Sequence, residues 1–268
     1  MNAESLIPGI DLTDIVGSIT VFFFLMIRIG AFLIASPAFG GRYVPLPVRI
    51  VATVVLTLPL FGRVDVPMAE TFASLASVPY ILAEIFIGVT AGLTLNILFG
   101  AAAIAGDRIA STAGLGFASQ IDPSSGGQTP VVAQLFGLLL TLVFLSLDGH
   151  LSAIGIMLDS YRAFPPGQMP DPAPMIRSGI TAGSQMFLLA AQVMLPVVGI
   201  LLLINVTIGV ITRSAPQLNI FSFGFPVTMT AAIVLLFLTT PGVAAAFRIL
   251  VENGTSMLTI LIGDLANG

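Results

Sequence analysis

Arg28 and Glu84 fall inside long apolar runs, Arg28 at the centre of FFFLMIRIGAFLIASP and Glu84 early in the run that begins at Pro79. A charge at the middle of a bilayer costs roughly 2.5–3.5 kcal/mol on insertion scales, so neither side chain is expected to face lipid. Two chemistries are open to the pair. They could bind a solute or relay protons, as in a secondary transporter, or they could be paired and buried inside an assembly. No dense chain of Asp, Glu and His accompanies them. The single histidine, His150, stands near Asp148, and a hydrolase would need a serine within reach of it and Asp148 or Asp159 as orienter. Ser119, Ser124, Ser125 and Ser152 occur, but none sits in a G-x-S-x-G elbow. Asp148 to His150 reads more simply as a helix-ending turn with Gly149 in a left-handed conformation. The sequence holds no H-E-x-x-H, P-loop or dinucleotide fingerprint, and one histidine with no cysteine argues against a transition-metal site. The expectation is a protein that is not an enzyme and takes no cofactor.

The elements that must position these residues are helices in a membrane. Of 268 residues, 56% are hydrophobic and 8% charged, whereas soluble domains carry about 25% charged residues. Mean hydropathy is +1.07. About six apolar segments stand out, near Ile15–Ala35, Leu46–Phe61, Pro79–Ala105, Val131–Leu147, Met186–Ile211 and Val227–Leu250. Backbone groups in lipid must be satisfied internally, so these predict an all-α integral membrane protein. The second and fourth segments fall short of the roughly 20 residues that cross a ~30 Å hydrocarbon core. The acidic start lacks the basic region of a cleavable signal peptide. Lysine is absent, and a net charge of −4 argues against a nucleic-acid partner.

A single domain over residues 1–268 is the simplest organisation. The stretch from Asp159 to Gly179 packs five prolines into ten residues and predicts an extended, exposed connection. On a six-span scheme Arg42, Arg49, Arg108 and Arg213 fall on one side and Arg63, Arg162, Arg177 and Arg248 on the other, so charge asymmetry sets no orientation. Glu84, Gly88, Gly92, Asn96 and Gly100 recur every four residues and form one slowly winding stripe, a helix-contact face of small-xxx-small type. Asn205, Gly209 and Arg213 repeat the spacing. Such a face packs either within the chain or against other subunits, and the expectation taken forward is the second.

Five stretches in order resemble the FliR family of flagellar type III export-gate membrane proteins, which has an injectisome branch. They are RIGAFLIASPAFGGRYVPLPVRI at 28–50, GLGFASQIDPSSGGQTPVVAQ at 114–134, LDGHLSAI at 147–154, FPPG at 164–167 and TRSAPQLNIFSFGFPVTM at 212–229. SAPQLNIFSFGFP is nearer the flagellar branch. The resemblance implies tilted helical hairpins and a single-copy subunit that joins several FliP-like and FliQ-like membrane subunits in a channel. Through it unfolded flagellar substrates would cross the bacterial inner membrane within the flagellar basal body, beside FlhB-like and FlhA-like export proteins. It further implies a pore plug at the positions matching Leu115, Gly116, Phe117, Ala118, Ser119 and Ile121. Gly114 and Gly116 would give this loop a pliable backbone, and its large apolar side chains would seal a narrow opening. The alternatives are an injectisome gate subunit and a transporter using Arg28 and Glu84.

Overall fold

The computed structural model describes residues 12–41, 44–64, 66, 77–115, 130–215, 217 and 223–267. These fold into helices, with no strand among the described residues. In order they are α1 (Leu12–Ala35), α2 (Pro37–Gly40), α3 (Leu46–Thr57), α4 (Val78–Thr112), α5 (Val131–Ser146), α6 (Gly149–Ala163), α7 (Pro172–Ser214) and α8 (Phe225–Asn267). Four are long and apolar enough to cross a membrane, namely α1, α4, α7 and α8, while α5 and α6 qualify together as one broken pair. Helix α3 has 12 residues, about 18 Å at 1.5 Å per residue, and is too short to span.

The helices overrun the predicted segments where local signals were misread. The turn between α5 and α6 is made by Asp148, whose φ is 53°, and Gly149 starts the next helix instead of closing the last. Asp bears the left-handed region better than most residues. Gly149 is needed for space, since a Cβ there would lie 2.6 Å from the Phe144 ring and 3.0 Å from Val251. The proline-rich connection shrinks to the few residues between Ala163 and Pro172. Asp171 accepts a hydrogen bond from the Ala173 N–H at 3.0 Å, and Pro172 follows at the first helical position, where its missing N–H costs nothing. Prolines within that stretch therefore start α7. Pro196 and Pro241 lie inside α7 and α8, which continue through them.

The chain packs as two compact units. The first holds residues 1–96, 150–181 and 254–268. Its core includes Leu25, Ile29, Phe32, Ile87 and Met157. The second holds residues 97–149 and 182–253. There α4 meets α5 at Gly106, where a Cβ would lie 2.5 Å from the Ala133 Cα. Phe99 packs edge-on against Phe144, and Phe136 against Phe247. Asn205 donates to the Thr112 carbonyl at 3.1 Å and Thr228 to the Ala113 carbonyl at 3.3 Å, so α7 and α8 both tie down the end of α4.

That end is a complete stop. Gly114, at φ 82°, donates to the Ser111 carbonyl at 3.2 Å and Leu115 to the Ala110 carbonyl at 2.9 Å, the two bonds of a Schellman motif. The Phe225 ring lies 2.9 Å from where a Gly114 Cβ would be. Gly114 thus serves as a fixed terminus, not as part of a pliable loop.

Close approach at Gly106 contrasts with open space around Gly183 in α7. Gly106→Ala should destabilise the purified protein by about 1–3 kcal/mol through backbone displacement, whereas Gly183→Ala should be neutral or stabilise by up to ~1 kcal/mol. Thermal unfolding in detergent reads both; equal shifts for the two variants would contradict the packing described.

Candidate functional site

The two charges of the apolar runs meet each other. Arg28 Nε and Nη2 donate to Glu84 Oε2 and Oε1 at 2.6 and 2.9 Å, a side-on bidentate pair, with both residues at 0% exposure. The second edge of the guanidinium turns to the end of α6. Its Nη1 donates to the carbonyls of Ser160 (3.1 Å) and Phe164 (3.0 Å) and lies 3.1 Å from Ser160 Oγ. Tyr161 stacks under the guanidinium at 4.3 Å and donates its hydroxyl to the Leu25 carbonyl at 2.5 Å. A cation at a helix C-terminus satisfies otherwise orphaned carbonyls and complements the macrodipole. Arg28 therefore does three things at once: it neutralises Glu84, caps α6 and seats Tyr161 on α1.

The four-residue stripe explains how α4 comes close enough. Glu84 takes Arg28. One turn on, a Cβ on Gly88 would collide with the Arg28 carbonyl oxygen and lie 2.8 Å from Ala31 Cβ. After another turn, a Cβ on Gly92 would lie 2.6 Å from Ala35 Cβ and 2.8 Å from the Phe32 carbonyl oxygen. Asn96 then donates to the Ala35 carbonyl at 3.1 Å. Four successive members of the stripe lie on α1 of the same chain, not on a second subunit. Gly100 belongs to the second unit and faces Met186, whose sulfur lies 2.9 Å from a Cβ built there. Of the repeat in α7, Asn205 contacts α4, while Gly209 has open space around it.

Of the positions expected to form a plug, Leu115 is 42% exposed beyond the α4 stop. Gly116, Phe117, Ala118, Ser119 and Ile121 lie outside the described residues. Sequence reasoning missed Ser160, Tyr161 and Phe164. They lie in and just beyond α6, whose segment GHLSAIGIMLDSYRA mixes polar and apolar residues and was not read as a helix. A tyrosine and a serine at a helix end, before FPPG, were the available signal. Among the described residues no cluster of His, Asp or Glu could hold a metal ion.

Removing one member of a buried pair leaves an uncompensated charge, at a cost of about 3–5 kcal/mol. Arg28→Met and Glu84→Leu should each sharply reduce the folded fraction in membranes. The double variant should be less destabilised than the sum of the two, with a coupling of roughly 0.5–3 kcal/mol by denaturant titration. Additive losses would disprove the pairing.

Residues 19–254 match the family of bacterial export proteins, family 1. Among curated relatives, the flagellar biosynthetic protein FliR of Pectobacterium carotovorum is 35% identical over 228 residues, 85% of this chain and 87% of that protein. FliR of Escherichia coli K12 is 32% identical over 250 residues, 92% and 94% of the two chains. FliR of Bacillus subtilis 168 is 30% identical over 235 residues, covering 84% and 88%.

Proposed function

Because the chain belongs to family 1 of the bacterial export proteins, among the FliR proteins of flagellar biosynthesis, we propose that it is a subunit of the flagellar protein-export channel. In this reading it joins FliP-like and FliQ-like subunits in the bacterial inner membrane, at the flagellar basal body. Unfolded flagellar subunits pass through the assembly, with FlhB-like and FlhA-like proteins alongside. The observation that carries the reading is the near full-length match to flagellar proteins from distant bacteria.

Two structural features support a channel subunit. Arg28 and Glu84 are committed to each other in a solvent-excluded core, which removes the residues that a transporter would offer to a solute. In addition, α7 and α8 have 43 residues each, roughly 65 Å of helix, about twice a ~30 Å hydrocarbon core. Helices of that length fit an assembly of tilted hairpins extending beyond the bilayer plane. Broad apolar faces, with Val131, Leu138, Leu142, Leu203 and Phe237 exposed, exceed what a soluble monomer presents and suit lipid or neighbouring subunits. The plug is proposed for Leu115, Gly116, Phe117, Ala118, Ser119 and Ile121, which follow the α4 stop at Gly114 in sequence.

Purification from membranes followed by mass spectrometry of the intact complex should give one copy of this chain with several FliP-like and FliQ-like copies. Recovery of the chain alone, active in solute uptake when placed in liposomes, would overturn the reading. Deleting Leu115 to Ser119 should make the closed assembly leak small ions in a liposome flux assay while assembly persists; unchanged permeability would remove the plug role.

A further inference from the structure

Where α1, α3 and α4 meet in the first unit, a groove of about 510 Å³ is walled by Phe23, Ile27, Ile34, Ile50, Ile85 and Val89, and Arg49 is the charged residue that lines it. That volume lies within the ~300–1,000 Å³ of small-ligand clefts. Arg49 stands in the first turn of α3 and spends Nη2 on the carbonyls of Gly40 and Gly41, at 3.1 and 2.7 Å. Its Nε is shielded from solvent and has no acceptor among the described residues. Nη1 likewise makes no hydrogen bond to a described residue. Thr53, the other polar side chain with a hydroxyl there, spends it on the Arg49 carbonyl at 2.7 Å. The guanidinium is thus held through Nη2, while Nε and Nη1 have no acceptor among the described residues, beside an otherwise apolar trough.

Charge and polarity together specify the occupant. One anion beside an apolar trough is the shape of an amphiphile, and α1 and α4, which form two of the walls, are long and apolar enough to cross a membrane, so the groove would open to bilayer lipid where they do. A protein segment would bring several hydrogen-bonding groups, at about one per 100–200 Å² of contact, and among the described residues the groove offers them only the unpartnered donors of Arg49. We infer that this groove holds one anionic phospholipid, its acyl chain along Phe23, Ile27 and Ile85 and its phosphate on Nη1 of Arg49. A zwitterionic headgroup would set its own cation close to the guanidinium and bind less well. Basic pockets between membrane helices select lipids on this principle.

The test uses the assembled complex in mixed micelles containing palmitoyl-oleoyl phosphatidylglycerol or the corresponding phosphatidylcholine, with retained lipid counted by native mass spectrometry. Retention of phosphatidylglycerol should exceed that of phosphatidylcholine about fivefold, the effect of one interfacial arginine. The preference should fall to parity in Arg49→Gln, survive in Arg49→Lys and be unchanged in Arg162→Gln, which removes an exposed arginine on α6. Ile85→Trp, which fills the trough while leaving Arg49 in place, should lower retention of both lipids without loss of assembly. Parity in the unaltered complex, or a preference that survives Arg49→Gln, overturns the inference. So does phosphatidylglycerol bound by the isolated chain but excluded from the complex, because a partner subunit would then cover the groove.

Discussion

The first unit is organised around one guanidinium that has no water to fall back on. Arg28 is enclosed by α1, α4 and the end of α6, and its donors are divided between a carboxylate on one side and backbone carbonyls on the other. Such a group adds little to net stability, because burying two charges costs about as much as their attraction returns. Its geometric demands are nonetheless strict. A bidentate contact fixes the rotation of α4 about its axis, and the bonds to Ser160 and Phe164 fix where α6 ends. The glycines at 88 and 92 then follow as a requirement, since Glu84 reaches Arg28 only if the next two turns of α4 can lie directly on the α1 backbone.

Much of this was legible in the sequence, though in pieces. The helical membrane class followed from composition, and the four-residue stripe was found with its spacing intact. What the stripe touches was not legible, because periodicity identifies a face and carries no information about the surface opposite it. Arg28 and Glu84 were recognised as side chains that must avoid lipid, but at 56 positions apart nothing local joined them. Helix boundaries failed at Asp148 and Pro172, where residues usually taken as breakers act at positions that tolerate them. Asp148 adopts a left-handed conformation that was assigned to its glycine neighbour, and Pro172 begins a helix that proline density had ruled out. The ligands contributed by α6 were lost with that helix.

The two units use small residues for different ends. Along α1 and α4 they let two backbones touch so that a charge pair can close. Around Gly106 and Gly149 they admit α5 backbone and an aromatic ring respectively. The second unit instead secures the end of α4 with neutral amide and hydroxyl donors, Asn205 and Thr228, on the consecutive carbonyls of Thr112 and Ala113. These bonds and the Schellman stop hold Leu115 at a defined position.

The sequence separation of the Arg28 cluster also bears on how the chain is made. Arg28 is synthesised 56 residues before Glu84 and 132 residues before Ser160. At about 5–20 residues per second, α1 waits roughly 3–11 s for its counter-charge and longer for the carbonyls that complete its coordination. During that interval an α1 placed in the bilayer carries its cation without the counter-charge, at a cost of roughly 2.5–3.5 kcal/mol on insertion scales. The first helix is therefore translated early and completes its contacts late, once α4 and α6 have been made.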